Sequence, residues 1–100
     1  DTDMAYKNAD SRVLLRRVFA LIEAKGYQLG NCDLTILAER PKLAPHIALM
    51  QQRIAEDLAT AVENVSIKAT TTEKLGFVGR QEGIEAHAVV FLIPKEDWQD

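Results

Sequence analysis

Apolar residues recur at helical spacing in two segments of the chain. From Ser11 onward they stand three and four positions apart, which predicts an amphipathic helix capped by Asn8 or Asp10 and ended by Gly26. The apolar positions of this helix are Leu14, Leu15, Val18, Phe19, Leu21 and Ile22. A second stripe predicts a helix that opens near Pro45, with its apolar side formed by Ile47, Met50, Ile54 and Leu58.

Three further segments have the two-residue alternation of β-strands. Residues 27–38 place Cys32, Leu34 and Ile36 on one face, and residues 64–69 form a shorter strand. The last strand, residues 84–93, is apolar on both faces. Because helices can cover only one side of so small a sheet, we expect the other side to pack against further subunits.

The order helix–strand–helix–strand–strand predicts an α/β (α+β) domain, with helices packed on one face of a small mixed sheet and the other face buried in an oligomer. The chain has 100 residues, 47% of them hydrophobic, which fits one domain with an ordered core. Its 12 basic and 15 acidic residues are interspersed and sum to −3, so a nucleic-acid surface is not expected.

The chain contains one cysteine, Cys32, which excludes an internal disulfide and fits a reducing compartment. It has no apolar run of membrane-spanning length and no recognisable signal peptide. It begins at Asp1 without an initiator methionine, and we expect it to be a piece of a longer polypeptide.

The densest polar cluster runs from Lys68 to Phe77. Its threonine hydroxyls, the carboxylate of Glu73 and the cation of Lys74 are groups that phosphate and a divalent metal require. If Glu73 opens a helical turn, backbone N–H groups would add an anion-binding end. The alternative is a threonine-rich strand end whose hydroxyls cap the following turn.

The loop from Ala38 to His46 is the second candidate. Its prolines, Pro41 and Pro45, would hold backbone groups in fixed positions suited to reading the edge of a base, and Lys42 could meet a phosphate. The alternative is an ordinary connection from a strand to a helix. The two histidines of the chain, His46 and His87, have no partners at ligand spacing, so a zinc site within these residues is not expected.

Together these segments resemble one family, the 2-C-methyl-D-erythritol 2,4-cyclodiphosphate synthases. The resemblance is strongest in the run Lys-Ala-Thr-Thr-Thr-Glu-Lys-Leu-Gly-Phe and covers essentially the whole chain; it includes Asp1-Thr2-Asp3, Pro41-Lys42 and Glu82-Gly83-Ile84. It implies an intramolecular phosphoryl transfer in bacterial, cytoplasmic non-mevalonate isoprenoid biosynthesis. The 2-phosphate of 4-diphosphocytidyl-2-C-methyl-D-erythritol 2-phosphate attacks the β-phosphorus of its own diphosphate, and CMP leaves.

The resemblance also implies roles for individual residues. Glu73 would bind a second divalent ion, magnesium or manganese, and Thr71 would stabilise the transition state. The neighbouring strand end and the cytidine pocket would supply substrate contacts from Ala69, Thr70 and Thr72, and from Ala38, Glu39, Arg40, Pro41, Lys42, Leu43 and Ala44. The segment that holds the erythritol phosphate would end at Asp1, Thr2 and Asp3. Phe77 and Arg80 match positions near the substrate and the central cavity of a trimer.

The family is a homotrimer with active sites between subunits, and it uses zinc held by an Asp-x-His pair and a later histidine. These ligands belong to an N-terminal part that the 100 residues lack. We therefore expect residues 1–100 to form a single domain, the larger C-terminal part of a synthase domain, that is inactive alone. The alternatives are a non-catalytic trimeric scaffold and the C-terminal half of a bifunctional cytidylyltransferase and cyclodiphosphate synthase.

Three positions depart from the usual family pattern. Leu43 replaces a methionine and Val78 a threonine. His87 stands where many bacterial members carry a glutamate that faces the trimer axis, at which an isoprenoid diphosphate is proposed to bind. Three imidazoles gathered at one axis would make such binding pH-sensitive, and the alternative is a histidine merely packed in a channel.

Overall fold

The structure, a computed structural model, describes residues 2–98 and, within them, the side chains of residues 11–96. Its helices and strands, in chain order, are α1 (Thr2–Ala24), β1 (Tyr27–Leu37), α2 (Ile47–Asp57), β2 (Val65–Thr70), α3 (Gly76–Gly79) and β3 (Glu85–Pro94). Short 3-10 turns lie at Ala44–His46, Val62–Asn64 and Lys95–Trp98. Both predicted long helices and all three predicted strands are confirmed. Within residues 2–98, no helix is long and apolar enough to cross a membrane.

The three strands form one mixed sheet in the order β2-β1-β3. β1 and β2 are parallel, with Cys32 opposite Val65 and Leu37 opposite Thr70. β1 and β3 are antiparallel. Since parallel strands point the same way, the chain leaves β1 and β2 at the same edge of the sheet, and the segments that follow them become neighbours.

The core lies between α2 and the face of the sheet that carries Cys32. Val65 is fully buried, and Cys32 and Ala55 are each 4% exposed. Further apolar side chains pack against these three, namely Leu29, Leu34, Ile54, Leu58 and Ile67. The predicted inner face of β1 and the predicted stripe of α2 therefore form the core. Burial, and secondarily the charge of Asp33, raises the pKa of the Cys32 thiol.

The opposite face of the sheet is open to solvent in the single chain. Val89 is 71% exposed and Phe91 is 60% exposed, although both are large and apolar. Val90, which points toward the helices, is also 51% exposed. The predicted burial of this face in an oligomer stays a prediction.

The start of α1 differs from the prediction. The helix begins at Thr2 rather than near Ser11, so Asn8 and Asp10 lie inside the helix and not at its N-terminus. Residues 2–10 contain no proline or glycine, and residues such as Met4 and Ala5 favour helix. Nothing local therefore stops the helix from extending beyond the amphipathic part. Its end agrees with the prediction, because Gly26 follows with φ +91°.

A β-bulge at Gly30 was not predicted. The pairing of β1 with β3 shifts register between Leu29 and Asn31. A Cβ atom at Gly30 would lie 2.7 Å from Cδ2 of Phe91 and 2.8 Å from Cδ1 of Ile93. Glycine therefore leaves room for these two side chains on the exposed face of the sheet.

An ion cluster joins α1 to α2. The carboxylate of Asp57, 6% exposed, accepts hydrogen bonds from Arg12 Nε at 2.8 Å, Arg12 Nη2 at 2.9 Å and Arg16 Nη1 at 2.8 Å. The hydrogen bond from Arg12, aided by that from Arg16, holds the pKa of Asp57 below its usual value against the opposing effect of burial. Asp57 in turn raises the pKa of Arg12. The cluster thus fixes the two helices against each other.

Candidate functional site

A cavity of about 500 Å³ lies at the carboxyl ends of β1 and β2. Its lining comes from two segments, one formed by Ala38, Glu39, Pro41, Lys42, Leu43, Ala44 and Pro45, and the other by Ala69, Thr70 and Thr71. The segments meet because the parallel strands end at one edge, where the Ala38 N–H donates to the Thr70 carbonyl oxygen at 3.0 Å. Ligand sites in sheets of this kind form at this edge.

The structure brings together two segments that the sequence singled out separately. The loop after β1 contributes mostly apolar and backbone surface, and Lys42 adds a positive charge. The strand end contributes the hydroxyl groups of Thr70 and Thr71, both exposed. Arg40 is exposed and is not part of the lining, and the peptide bond between it and Pro41 is cis. A flat apolar group and a phosphate could therefore be held side by side.

The segment after Thr71 forms a loop rather than the opening of a helix. Glu73 does not open the helical turn that an anion-binding end would require, because Glu73 and Lys74 have φ values of 54° and 69° and the short helix α3 begins only at Gly76. These values lie in the left-handed region, which costs a residue other than glycine about 1–2 kcal/mol. Two such residues in succession need contacts that hold them.

Hydrogen bonds supply those contacts. The Glu73 N–H donates to Thr71 Oγ1 at 3.3 Å, and the Leu75 N–H donates to the Thr72 carbonyl at 3.2 Å. The Lys74 N–H donates to Glu39 Oε1 at 2.7 Å, across from the loop after β1. The bend is thus closed by its own threonines and by a carboxylate from the other segment.

Gly79 packs directly against the backbone of this bend, at Lys74. A Cβ atom at this position would lie 2.1 Å from the carbonyl carbon of Lys74 and 2.6 Å from its Cα. Backbone therefore packs directly on backbone, which only glycine allows. The adjacent Val78, 2% exposed, anchors α3.

Other predicted site residues lie away from the cavity lining or outside the described residues. Arg80 Nε donates to Glu82 Oε2 at 3.1 Å, with both side chains more than half exposed. Phe77 is 48% exposed and lies beside Gly83. Asp1 is outside the described residues, and so are the side chains of Thr2 and Asp3, which fall in the first turn of α1.

His87 lies on β3, opposite Thr35 of β1. By strand alternation it shares the uncovered face of the sheet with Val89 and Phe91. Its Nε2 atom is within hydrogen-bond distance of Glu85 Oε2, and the imidazole is 62% exposed. The predicted place of His87 at a trimer axis and its predicted effect on ligand binding stay predictions.

Metal binding was tested on the donor groups present. Among the described side chains, no group of three or more His, Cys, Asp or Glu residues could hold a metal ion. Glu73 offers a single exposed carboxylate two residues beyond the cavity-lining Thr71. One carboxylate fits magnesium or manganese, which takes its remaining ligands from phosphates and water, and does not fit zinc, which needs at least three protein ligands.

Sequence reasoning missed the roles of Glu39 and Gly79. Glu39 was predicted only as part of the cytidine pocket, yet its carboxylate accepts from the Lys74 amide, 35 positions later in the chain. No local sequence pattern predicts a contact between residues so far apart in the chain. The signal at Gly79 is its spacing of three from Gly76, which places two glycines on a single helical turn.

The fold is that of an α/β protein with a cavity at the carboxyl ends of two parallel strands. The YgbB family profile matches residues 1–93, and the chain belongs to the YgbB family. The chain is 60% identical over 94 residues to the 2-C-methyl-D-erythritol 2,4-cyclodiphosphate synthase of Pseudomonas putida, covering 94% of this chain and 60% of that protein. It thus spans about three fifths of the length of this curated relative.

Solved structures agree with this assignment. Plasmodium falciparum IspF, solved as a CDP complex, superposes with a TM-score of 0.82 at 34% identity, over 87% of this chain and 56% of that one. The bifunctional IspDF of Campylobacter jejuni also gives 0.82, at 42% identity, over 92% of this chain and 25% of that one. The fold is therefore shared with proteins that carry the synthase name.

Proposed function

We propose that the chain provides the cytidine site and the second metal site of a 2-C-methyl-D-erythritol 2,4-cyclodiphosphate synthase. The observation that carries the proposal is that one cavity is lined both by the loop after β1 and by Ala69, Thr70 and Thr71, in a chain 60% identical to a protein of that name. The CDP complex of the similar Plasmodium falciparum protein supports a cytidine diphosphate-linked ligand. The reaction is closure of the substrate's own diphosphate with release of CMP.

Each segment of the cavity has a task in this reaction. The backbone of the loop after β1 selects the base, and Lys42 neutralises a phosphate. The Thr71 hydroxyl would donate a hydrogen bond to the diphosphate, and the Glu73 carboxylate would hold magnesium or manganese, which would supply positive charge next to the phosphates. Because nucleophile and leaving group are both phosphates of one molecule, positioning and charge neutralisation suffice, and no protein nucleophile is required.

The wider assembly is part of the proposal. Residues 1–100 would form the larger C-terminal part of a synthase domain in a bacterial, cytoplasmic homotrimer, with zinc ligands supplied from outside these residues. The exposed Val89 and Phe91 support subunit contacts, because apolar side chains this exposed gain most from burial. His87 would then face the axis of the trimer, where an isoprenoid diphosphate could bind.

Two other assignments remain open to test. The similarity to the bifunctional IspDF of Campylobacter jejuni favours a chain that continues a cytidylyltransferase domain. A trimeric scaffold without activity is the other candidate. The mass of the full natural polypeptide and its content of zinc separate these from a monofunctional synthase.

The decisive experiment measures CMP release from 4-diphosphocytidyl-2-C-methyl-D-erythritol 2-phosphate by the full natural polypeptide, of which these 100 residues are a part. Glu73→Gln keeps the shape of the side chain and removes its charge, and it should lower kcat by about 100-fold, the size of losing a metal-held charge at the reacting phosphates. Its affinity for CMP should stay within about twofold, since binding of the base depends on the other segment. Glu63→Gln, an exposed glutamate in the turn Val62–Asn64, is the matched control. Full turnover by Glu73→Gln would reject the assigned role.

A further inference from the structure

We propose that Glu39 is a positioning residue for the loop Thr71–Leu75, rather than a contact for the base. The inference rests on the proposed function, because the loop carries Thr71 and Glu73. It assigns to Glu39 a task at the phosphate end of the site, although the residue belongs to the segment that forms the base pocket.

The geometry of Glu39 carries the inference. Its side-chain Oε1 accepts the backbone N–H of Lys74 at 2.7 Å, a short charge-assisted hydrogen bond. The same oxygen lies 3.3 Å from Thr72 Oγ1, but that hydroxyl is closer to the Leu75 carbonyl, at 2.7 Å. A hydroxyl has one proton, and the shorter contact takes it. The Lys74 amide is therefore the main donor to Glu39.

The loop depends on this acceptor. Lys74 follows Glu73 directly, and both adopt left-handed backbone although neither is glycine. The amide of Glu73 is satisfied inside the loop by Thr71, whereas the amide of Lys74 is satisfied from outside by Glu39. Without that acceptor, the peptide between Glu73 and Lys74 is free to turn, and the direction of the Glu73 side chain changes with it. Glu39 thus orients the side chain of Glu73 without itself contacting the ligand.

Two substitutions at Glu39 distinguish the effect of its negative charge from the effect of its hydrogen-bond acceptor. Glu39→Gln keeps an oxygen that can accept the Lys74 N–H, whereas Glu39→Ala removes it. In the full natural polypeptide, Glu39→Ala should weaken Mn²⁺ binding in the presence of CDP by about tenfold and lower kcat by about 30-fold. These losses are the size expected when a hydrogen bond to a charged group is removed. Glu39→Gln should recover most of both losses. CMP affinity should change by less than about twofold in either variant, because the base contacts remain.

The measurements are Mn²⁺ titration by electron paramagnetic resonance, CMP titration by calorimetry, CMP release, and amide hydrogen exchange of the loop. Exchange at the Lys74 amide should accelerate in Glu39→Ala and remain slow in Glu39→Gln and in the control Glu63→Ala. Thermal unfolding checks that each variant folds. If Glu39→Ala is unfolded, the comparison of Glu39→Gln with Glu39→Leu replaces it, since leucine fills the space without an acceptor.

Three outcomes overturn the inference. CMP affinity that falls together with Mn²⁺ affinity would place Glu39 in the base pocket. Unchanged exchange at Lys74 would mean that the loop holds itself. Equal losses in Glu39→Gln and Glu39→Ala would assign the effect to the charge. Absence of both CMP release and CDP affinity in the wild-type full natural polypeptide would reject the proposed function, and faster exchange in Glu39→Ala alone would then leave Glu39 a structural residue only.

Discussion

Asp57 and Glu39 use the same functional group for different purposes. Asp57, 6% exposed, accepts hydrogen bonds from two guanidinium groups and joins α1 to α2. Glu39, half-buried, accepts a backbone amide and holds a bend of the chain. The Asp57 carboxylate is paired with long charged side chains, whereas the Glu39 carboxylate is paired with a backbone amide whose direction is fixed by the path of the chain.

This difference separates stability from local shape. When a carboxylate joins two helices, its loss weakens the whole fold but leaves each helix as it was. When a carboxylate holds a bend, its loss redirects the residues in the bend and leaves the rest of the fold in place. Loss of the Asp57 carboxylate should therefore lower the free energy of unfolding without changing turnover, whereas loss of the Glu39 carboxylate should mainly lower turnover.

Gly79→Ala should give the largest effect, because it places a Cβ atom against the backbone of Lys74, the residue whose amide Glu39 holds. The added Cβ would lie 2.1 Å from the Lys74 carbonyl carbon, so α3 or the loop must move. We expect a loss of about 2–3 kcal/mol in the free energy of unfolding, typical of overpacking. Turnover should fall by at least about 100-fold, as expected when reacting groups are displaced.

Urea unfolding and CMP release measure both effects of Gly79→Ala. Gly83→Ala is its matched control, because the new Cβ would lie 3.2 Å from two ring carbons of Phe77, and a ring at a half-exposed position can yield. Wild-type turnover in Gly79→Ala would mean that the loop geometry does not matter for the reaction.

Asp57→Ala should give the next largest effect, and on stability alone. It removes hydrogen bonds between charged groups, and Arg12 and Arg16 regain water because their side chains are 33% and 49% exposed. We expect a loss of about 2 kcal/mol in the free energy of unfolding. CMP release per folded molecule should be unchanged. Glu56→Ala, whose exposed carboxylate lies 3.5 Å from Arg12, should cost less than about 0.5 kcal/mol. A loss of turnover in folded Asp57→Ala would break the separation of the two regions.

A change of pH should give the smallest effect, confined to the ion cluster. The pKa of Asp57 is lower in the folded chain than its usual value of 3.8, so the folded state binds the proton less readily than the unfolded state. Its stabilising contribution is therefore complete above the unfolded pKa and is lost as the pH falls from about 4 through the folded pKa. The charged groups that face Asp57 are Arg12 and Arg16, and Glu56 lies beside Arg12.

The difference in unfolding free energy between wild type and Asp57→Asn isolates this contribution, since asparagine does not titrate. The difference should be constant from pH 7 to 5 and shrink below about pH 4. A difference that grows with acidity would contradict the lowered pKa.

The sequence predicted elements whose signal is local and repeated. The alternation around Cys32 and Leu34 fixed the inner face of β1, and the stripe of Ile54 and Leu58 fixed the inner face of α2. The two segments of the candidate site were recognised separately by composition. Their meeting at one cavity follows once β1 and β2 are known to be parallel.

Features that depend on a distant partner were not predicted. The left-handed bend at Glu73 and Lys74 needs Glu39, and the demand for glycine at position 79 comes from the backbone of Lys74. The bulge at Gly30 is set by side chains of β3. The start of α1 was misplaced because Asn8 and Asp10 can cap a helix but can also lie inside one, and no proline or glycine among residues 2–10 stops the helix earlier.

Because Cys32 is buried in the core, the rate at which its thiol is labelled can measure how often the core opens. It is the one thiol in the chain, it lies between α2 and the sheet, and its raised pKa keeps it protonated. A thiol reagent therefore reacts with Cys32 only after α2 and the sheet part, and the labelling rate of this residue reports that event. The same reagent can time core opening in every variant above, independently of whether the variant still turns over.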